Sequence, residues 1–259
     1  VTSSVSAGPL IASITVELLD LRQGLASTLP HLDRAKDAPS QHSHLHVTVD
    51  PSTRLASITA SNGHYSLGLA LVSVTDSTPL TAPLRLDLDR GTADDILRIF
   101  PSRDLSPDNQ LQIDIHEQYV VATDVGGLIA GKQGRWPRAP LDDMPVDFVS
   151  VIRDALQRVE DRVVVPRSEP ATYDYRCGAK AVAMFRAAGE AYGTPLRIQS
   201  TGSTSPVLVS AGDSFLGLLI QPTLSDREQA DEATARRGWL QRLQVVTPTT
   251  EATRELVSS

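Results

Sequence analysis

Apolar positions along this chain recur with two periods, and the two periods alternate in a fixed order. Residues 12–16 read as a strand, and Leu18, Leu21, Leu25 and Leu29 then fall at helical spacing, so a helix over 18–29 has one apolar side. Leu45, Val47 and Val49 alternate as a half-buried strand does, and residues 55–60 and 65–74 read as two more strands. Asn62-Gly63 lies between the last pair. Both residue types tolerate the positive φ of a tight turn, which makes this dipeptide a hairpin signal.

The same order of strand, helix and three strands returns. Leu84, Leu86 and Leu88 alternate, a helix is predicted over 92–100 and stops near Pro101, and strands follow at 110–115, 119–123 and 128–132. A later copy has a strand at 172–176, an Ala-rich helix at 179–192 ended by Gly193 and Pro195, and strands at 196–200, 207–210 and 215–220. Between these copies, residues 134–170 supply only a helix at 148–159 and a short strand at 163–165, too little for another full copy. The pattern predicts an α+β fold of repeated β-α-β-β-β units, with helices on one face of antiparallel sheets. It divides the chain into a complete two-copy domain at 1–140, a second domain at 141–224 with its first half cut down, and a charged helix at about 226–243 inside a 225–259 tail that ends in a flexible Thr/Ser-rich stretch.

Composition limits the function classes. With 259 residues, 41% hydrophobic and only 4% aromatic, the chain can build a core, and that core must be mostly Leu, Val, Ile and Ala. The longest apolar runs, 67–74 and 216–220, fall far short of the roughly 20 residues that span a bilayer. Residues 1–9 are small and polar, unlike a secretory signal, so a cytoplasmic protein without membrane association is expected. The single Cys177 excludes an intramolecular disulfide and any Cys-based zinc site. A net charge of −7 argues against attraction to phosphate over the whole surface, but leaves room for a local basic lining.

Several motifs suggest chemistry and then fail a test of context. Gly126 to Lys132 spells G-x-x-x-x-G-K, yet Gln133 stands where a phosphate loop needs Ser or Thr for magnesium. His42, His44 and His46 would share one face of a strand, but no carboxylate or Cys cluster accompanies them as metal ligands. Asp87, Asp89, Asp94 and Asp95 invite a two-carboxylate reading, whereas Asp94 and Asp95 better suit the first turn of the following helix. No Gly-x-Ser-x-Gly elbow occurs. No enzyme activity, cofactor or metal is expected.

Three stretches carry a resemblance to a known family. Ala60-Ser61-Asn62-Gly63-His64 is similar to an Ala-Thr-Asp-Gly-His hairpin, and Gly134-Arg135-Trp136-Pro137 to a closing Gly-Arg-Phe-Pro. Ser205-Pro206-Val207-Leu208-Val209 with Leu218-Leu219-Ile220-Gln221-Pro222 resembles a final hairpin that closes on Val-Met-Pro-Met-Arg-Leu. All three belong, in this order, to the bacterial sliding clamp, the beta subunit of DNA polymerase III. The resemblance covers about residues 12–224, with 12–140 similar to the family's middle domain and 141–224 to a shortened last domain; its first domain has no counterpart. Tyr65 departs from a usual Arg, and Gln221 and Thr223 replace methionines.

The resemblance implies a scaffold in DNA replication or repair, a processivity factor of homo-oligomeric form that recruits DNA polymerase or other clamp-binding proteins. The family pairs three-domain chains into a six-domain ring, so ring closure is open here; the alternative is a degenerate relative acting as a soluble adaptor or clamp antagonist without encircling DNA. Carried over residue by residue, Gly63, His64 and Leu67 would form one wall of an inter-domain peptide groove, Pro137 its floor, and Leu219, Gln221 and Pro222 the opposite wall. Charged substitutions at Leu219 and Pro137 are then expected to abolish peptide binding while leaving the fold intact. Non-specific, weak DNA contact would come from Arg22, Arg34, Lys36, Arg98, Arg103, Lys180 and Arg186.

Overall fold

The computed structural model describes residues 8–101, 109–126, 131–141, 147–163, 177–200 and 206–220, together with 225–228, 230–231, 234–235 and 237–238. The first repeat is β1 (Leu10–Glu17), α1 (Leu18–Thr28) with a 3-10 turn at Leu29–His31, a short α2 (Ser40–Ser43), β2 (His44–Asp50), β3 (Leu55–Ser61) and β4 (Ser66–Ser77). The second is β5 (Leu84–Asp89), α3 (Arg90–Ile99), β6 (Gln110–His116), β7 (Tyr119–Asp124) and β8 (Gln133–Pro137). Then come α4 (Phe148–Val163), α5 (Ala179–Tyr192), β9 (Arg197–Ser200), β10 (Val207–Ala211) and β11 (Phe215–Leu219).

Local chemistry moves some boundaries. The second helix begins earlier than its apolar spacing predicts because Asp89 caps it: Oδ1 accepts from Thr92 N at 2.8 Å and Oδ2 from Thr92 Oγ1 at 3.1 Å. Asp94 and Asp95 therefore lie beyond the first turn. Asp95 instead accepts from Arg98 at 2.6 Å and from Trp136 Nε1 at 3.2 Å, which hold its carboxyl below the usual carboxylate range. The strand expected at 128–132 is found at Gln133–Pro137, after a turn closed by Gly131 N to Asp124 O and Asp124 N to Lys132 O. Val163 ends α4 rather than starting a strand, and residues 164–176, with the strand expected at 172–176, lie outside the described residues.

One hydrogen-bonded path runs β5-β2-β3-β4-β1-β6-β7-β8. Strand β4 has two partners on its other edge: its end pairs with β1 (Ile14 opposite Ser77), and its start pairs with β11 from Phe215 opposite Ala70 to Leu219 opposite Ser66. Strands β10 and β9 continue outward from β11, all antiparallel.

Side-chain alternation then sorts residues onto two faces. Ala56, Ile58 and Val72 face the helices. Leu21 and Leu25 of α1 and Ile96 of α3 join them with Ile14, Val16 and Val47 in one buried cluster. Gly24 lets α1 approach closely, since a Cβ there would stand 3.0 Å from Ile58 Cδ1. Helix α5 extends this layer: Phe185, Ala181 and Ala188 pack on Ala70, Val207, Val209, Phe215 and Leu219. At the seam, His31 is fully buried with its ring 4.7 Å from Phe185, and neither ring nitrogen has a hydrogen-bond partner among the described residues. Burial pushes the His31 pKa down to about 3.

The opposite face departs from the expectation that all helices share one side. Leu67, Leu69, Leu208 and Leu218 point outward, and α4 covers them with Phe148 and Ile152, while Val149, Ala155 and Leu156 pack beside these. Those five α4 residues fall on one side of the helix, so an amphipathic helix matches an apolar patch.

Residues 222–259 form a separate unit. There Asp226–Glu228 are helical and open on a capping box, in which Ser225 N donates to Glu228 Oε2 at 2.9 Å and Glu228 N to Ser225 Oγ at 3.4 Å. Among the described residues no helix is long and apolar enough to cross a membrane.

Candidate functional site

The β3–β4 hairpin is shaped by its own polar side chains. Asn62 Oδ1 accepts from the backbone N–H groups of His64, Tyr65 and Ser66 at 3.1–3.2 Å, and Ser61 Oγ accepts from Gly63 N at 3.1 Å. Gly63 has φ +72°, which explains a glycine at this point. Any Cβ there would also meet His42 Nε2 at 2.7 Å. Gly63 and His64 are exposed at the tip. Ile220 N donates to Tyr65 O at 2.9 Å, so the end of β11 lies beside the hairpin.

The expected groove residues gather only in part. Gly63, His64 and Leu67 share the hairpin, and β11 runs alongside it. Leu67 and Leu219 do not face one another across a cleft, however. Leu67 is opposite Leu218 in the ladder and belongs to the outward cluster under α4, whereas Leu219 belongs to the helix-side cluster with Phe185. Adjacent ladder positions point to opposite faces, and that alternation separates the two leucines. Leu219 is also buried, so a charged residue there is not neutral for folding as expected from sequence. Pro137 is exposed at the end of β8, opposite Tyr119, with three strands between β8 and β4 in the sheet order. Gln221 and Pro222 lie outside the described residues.

Beside α4 the outward face carries a polar cluster that sequence spacing could not reveal, because β2 and β5 are distant in the chain. Asp87 is buried, receives His46 Nδ1 at 2.9 Å and Arg85 Nη2 at 2.9 Å, and the His46 ring lies 5.8 Å from that of Phe148. Burial alone would raise the Asp87 carboxyl, but the hydrogen bonds and charges of His46 and Arg85 outweigh it and hold the group below the usual carboxylate range. A groove of about 750 Å³ opens here between Phe148, Val149 and Arg153 on one side and Thr48, Ser57 and Leu71 on the other.

The basic candidates divide by what they already hold. Arg22 donates from Nη1 to the carbonyls of Leu97 and Phe100, so it closes the C-terminal end of α3. Arg98 and Arg186 are exposed and paired within their helices to Asp95 and Glu190. Arg34 and Lys180 are exposed and brought together across a recess of about 450 Å³ with Asp33, Tyr65 and Met184, and Lys36 is exposed nearby in sequence. Arg90, absent from the sequence-based set, is close enough to Arg34 to feel its charge and donates to Leu29 O at 2.8 Å. Arg103 lies outside the described residues.

The other motifs resolve into structure. Lys132 and Gly131 close the β7–β8 turn, with Gly127 to Ala130 outside the described residues. His42 sits in α2, apart from His44 and His46 on β2, and among the described residues no group of three or more His, Cys, Asp or Glu side chains is arranged to hold a metal ion. Cys177 is half-buried.

No family model matches the sequence, and no curated protein matches it. Solved structures do. The chain is similar to the DNA polymerase sliding clamp from Bacillus subtilis, with TM-score 0.58 and 12% identity over 82% of this chain and 64% of that one. It is similar to the clamp from Pseudomonas aeruginosa bound to griselimycin, with TM-score 0.59 and 12% identity over 85% and 68%. The DNA polymerase III beta subunit from Thermotoga maritima gives TM-score 0.57 and 10% identity over 84% and 67%. The fold is that of the bacterial sliding clamp, and this chain spans about two thirds of the length of these proteins.

Proposed function

We propose that the chain is a clamp-like scaffold of DNA replication or repair, without catalytic chemistry, that binds peptide segments of DNA polymerase or other clamp-binding proteins beside the β3–β4 hairpin. The reading includes weak, sequence-independent contact with DNA on the helix side and assembly with further copies. The observation that carries it is the β4–β11 ladder: it joins the complete repeat pair to the half repeat as one sheet with α1, α3 and α5 on a common layer. That junction lies beside the exposed Gly63 and His64, where a partner has access. Arg34 and Lys180, free of the carbonyl contacts that hold Arg22, are the residues best suited to phosphate.

Fluorescence anisotropy tests both contacts. A labelled peptide with apolar clamp-binding anchors is expected to bind saturably, and His64→Glu to weaken it about tenfold, or about 1.4 kcal/mol. A labelled DNA duplex is expected to bind more weakly as salt rises, with Arg34→Glu and Lys180→Glu each lowering the slope of log affinity against log salt by about 0.9. No saturable peptide binding and no salt-dependent DNA binding by the folded chain would contradict the proposal. A monomer in solution would turn it toward a soluble adaptor that does not encircle DNA.

A further inference from the structure

The histidine run at 42, 44 and 46 finds another use in the fold. Helix α2 is a single turn of four residues, too short to be stable by itself, so its position depends on what grips it. Its carbonyls are held at three points: Asp33 N donates to His42 O at 2.8 Å, His44 Nδ1 lies 3.1 Å from Ser40 O, and His46 Nε2 lies 3.0 Å from Gln41 O. The last of these is anchored in the sheet. His46 stands opposite Asp87 in the β2–β5 ladder with Nδ1 2.9 Å from Asp87 Oδ1, and Arg85 Nη2 donates to Asp87 Oδ2 at 2.9 Å. Both His46 and Asp87 are buried. The Phe148 ring lies 5.8 Å from that of His46 and 6.5 Å from that of His42, which closes the assembly from α4. Helix α2 in turn meets the β3–β4 hairpin, because the His42 ring lies directly against the turn: a Cβ at Gly63 would stand 2.7 Å from His42 Nε2.

We infer that His46 is a positioning residue for the peptide contact at the hairpin: it ties α2 to the buried Asp87, and α2 through His42 sets the tip that carries Gly63 and His64. This role rests on the scaffold reading above and names what holds its hairpin in place. Asp87 Oδ1 and Gln41 O are both acceptors, so the ring completes both bonds when each nitrogen carries a proton. The two bonds can be removed separately. An asparagine amide nitrogen stands about where Nδ1 stands and a glutamine one about where Nε2 stands. His46→Asn therefore keeps the bond to Asp87 and loses the one to Gln41, whereas His46→Gln keeps the bond to Gln41 and loses the one to Asp87.

The assays are run at pH 6 on the full chain, with the labelled peptide of apolar clamp-binding anchors as the probe. His46→Asn is expected to weaken peptide binding about fivefold and His46→Gln less than twofold. Hydrogen exchange is expected to quicken in His46→Asn at 40–43 and at the hairpin amides 64–66 that Asn62 holds, while the β1 and β6 amides keep their protection in both variants. A histidine that only stabilises the sheet gives the reverse order, since His46→Gln is the variant that deprives the buried Asp87 of a donor. His42→Ala leaves the His46–Asp87 pair intact and is expected to reproduce both the peptide loss and the faster exchange at 64–66. Equal losses in the two His46 variants, a larger loss in His46→Gln, or no effect of His42→Ala would overturn the inference. If the unaltered chain binds no peptide, the scaffold reading fails by itself, and unchanged exchange at 64–66 in His46→Asn then overturns the role of His46.

Discussion

Leu219→Asp is expected to cost on the order of 4 kcal/mol or more of stability, enough to unfold much of the population of a marginally stable chain. Leu219 is 3% exposed and sits with Phe185, Val207 and Phe215 in the cluster that fastens α5 to the sheet. The substitution removes a buried leucine, a loss of about 2–3 kcal/mol, and sets a carboxylate among apolar side chains. Urea unfolding measures this as a lower midpoint with an unchanged slope. Leu219→Met, similar in volume, is expected to cost less than about 1.5 kcal/mol. His64→Asp on the exposed hairpin tip is expected to stay within about 0.5 kcal/mol of the original chain. A cost of that small size at Leu219 would mean that the side chain faces solvent.

Mild acid should weaken the fold, and His31 supplies a reason. Its pKa is about 3 in the fold against 6.5 in the unfolded chain, so between those values the unfolded state binds more protons. Stability is then complete above pH 6.5 and is lost as pH falls toward 3, by roughly 2 kcal/mol from pH 7 to pH 5. Asp87 has the opposite type of charge but the same sign of effect. Its carboxyl is held below 3.8, so it contributes stability above that value which is lost only in stronger acid. Of these two groups, His31 is the one that acts between pH 6.5 and 4.5. His31→Leu removes two buried nitrogens that have no partner among the described residues, and is expected to leave stability at pH 7 within about 1 kcal/mol while flattening the loss to pH 5. Thermal melts of both proteins across this range check it; parallel pH dependence would rule out His31 as the cause.

Much of the fold was legible because its periodicity is local. The helix predicted at 179–192 is observed with those bounds, and the strands of the first repeat differ by a few residues at most. The hairpin at Asn62-Gly63 was legible for the same reason, since its Asx bonds and positive φ involve neighbours in sequence. What failed depended on distant pairing. Nothing local tells that β4 accepts β11, so the opposite facing of Leu67 and Leu219 could not be read. An amphipathic stripe at 148–156 announces a buried side but not the sheet face that buries it. Likewise Arg22 reads as a free helix cation until the end of α3 is placed against it. Helix α3 starts before its apolar spacing for a subtler reason: Asp89, grouped in the sequence with neighbouring carboxylates, serves as its cap.

The antiparallel seating of β11 on the first half of β4 supports every functional statement above, and crosslinking tests it directly. In a Cys177→Ala background, Leu67→Cys/Leu218→Cys places two thiols at directly opposed positions, where antiparallel Cα atoms stand roughly 5.5 Å apart, within the span of a disulfide. Mild oxidation of the folded chain is predicted to give a 67–218 link within each molecule, read by peptide mass mapping, while Leu67→Cys/Leu216→Cys links far more slowly. Thiols at 67 and 218 that both react with a soluble reagent in the native protein yet never join would contradict that seating.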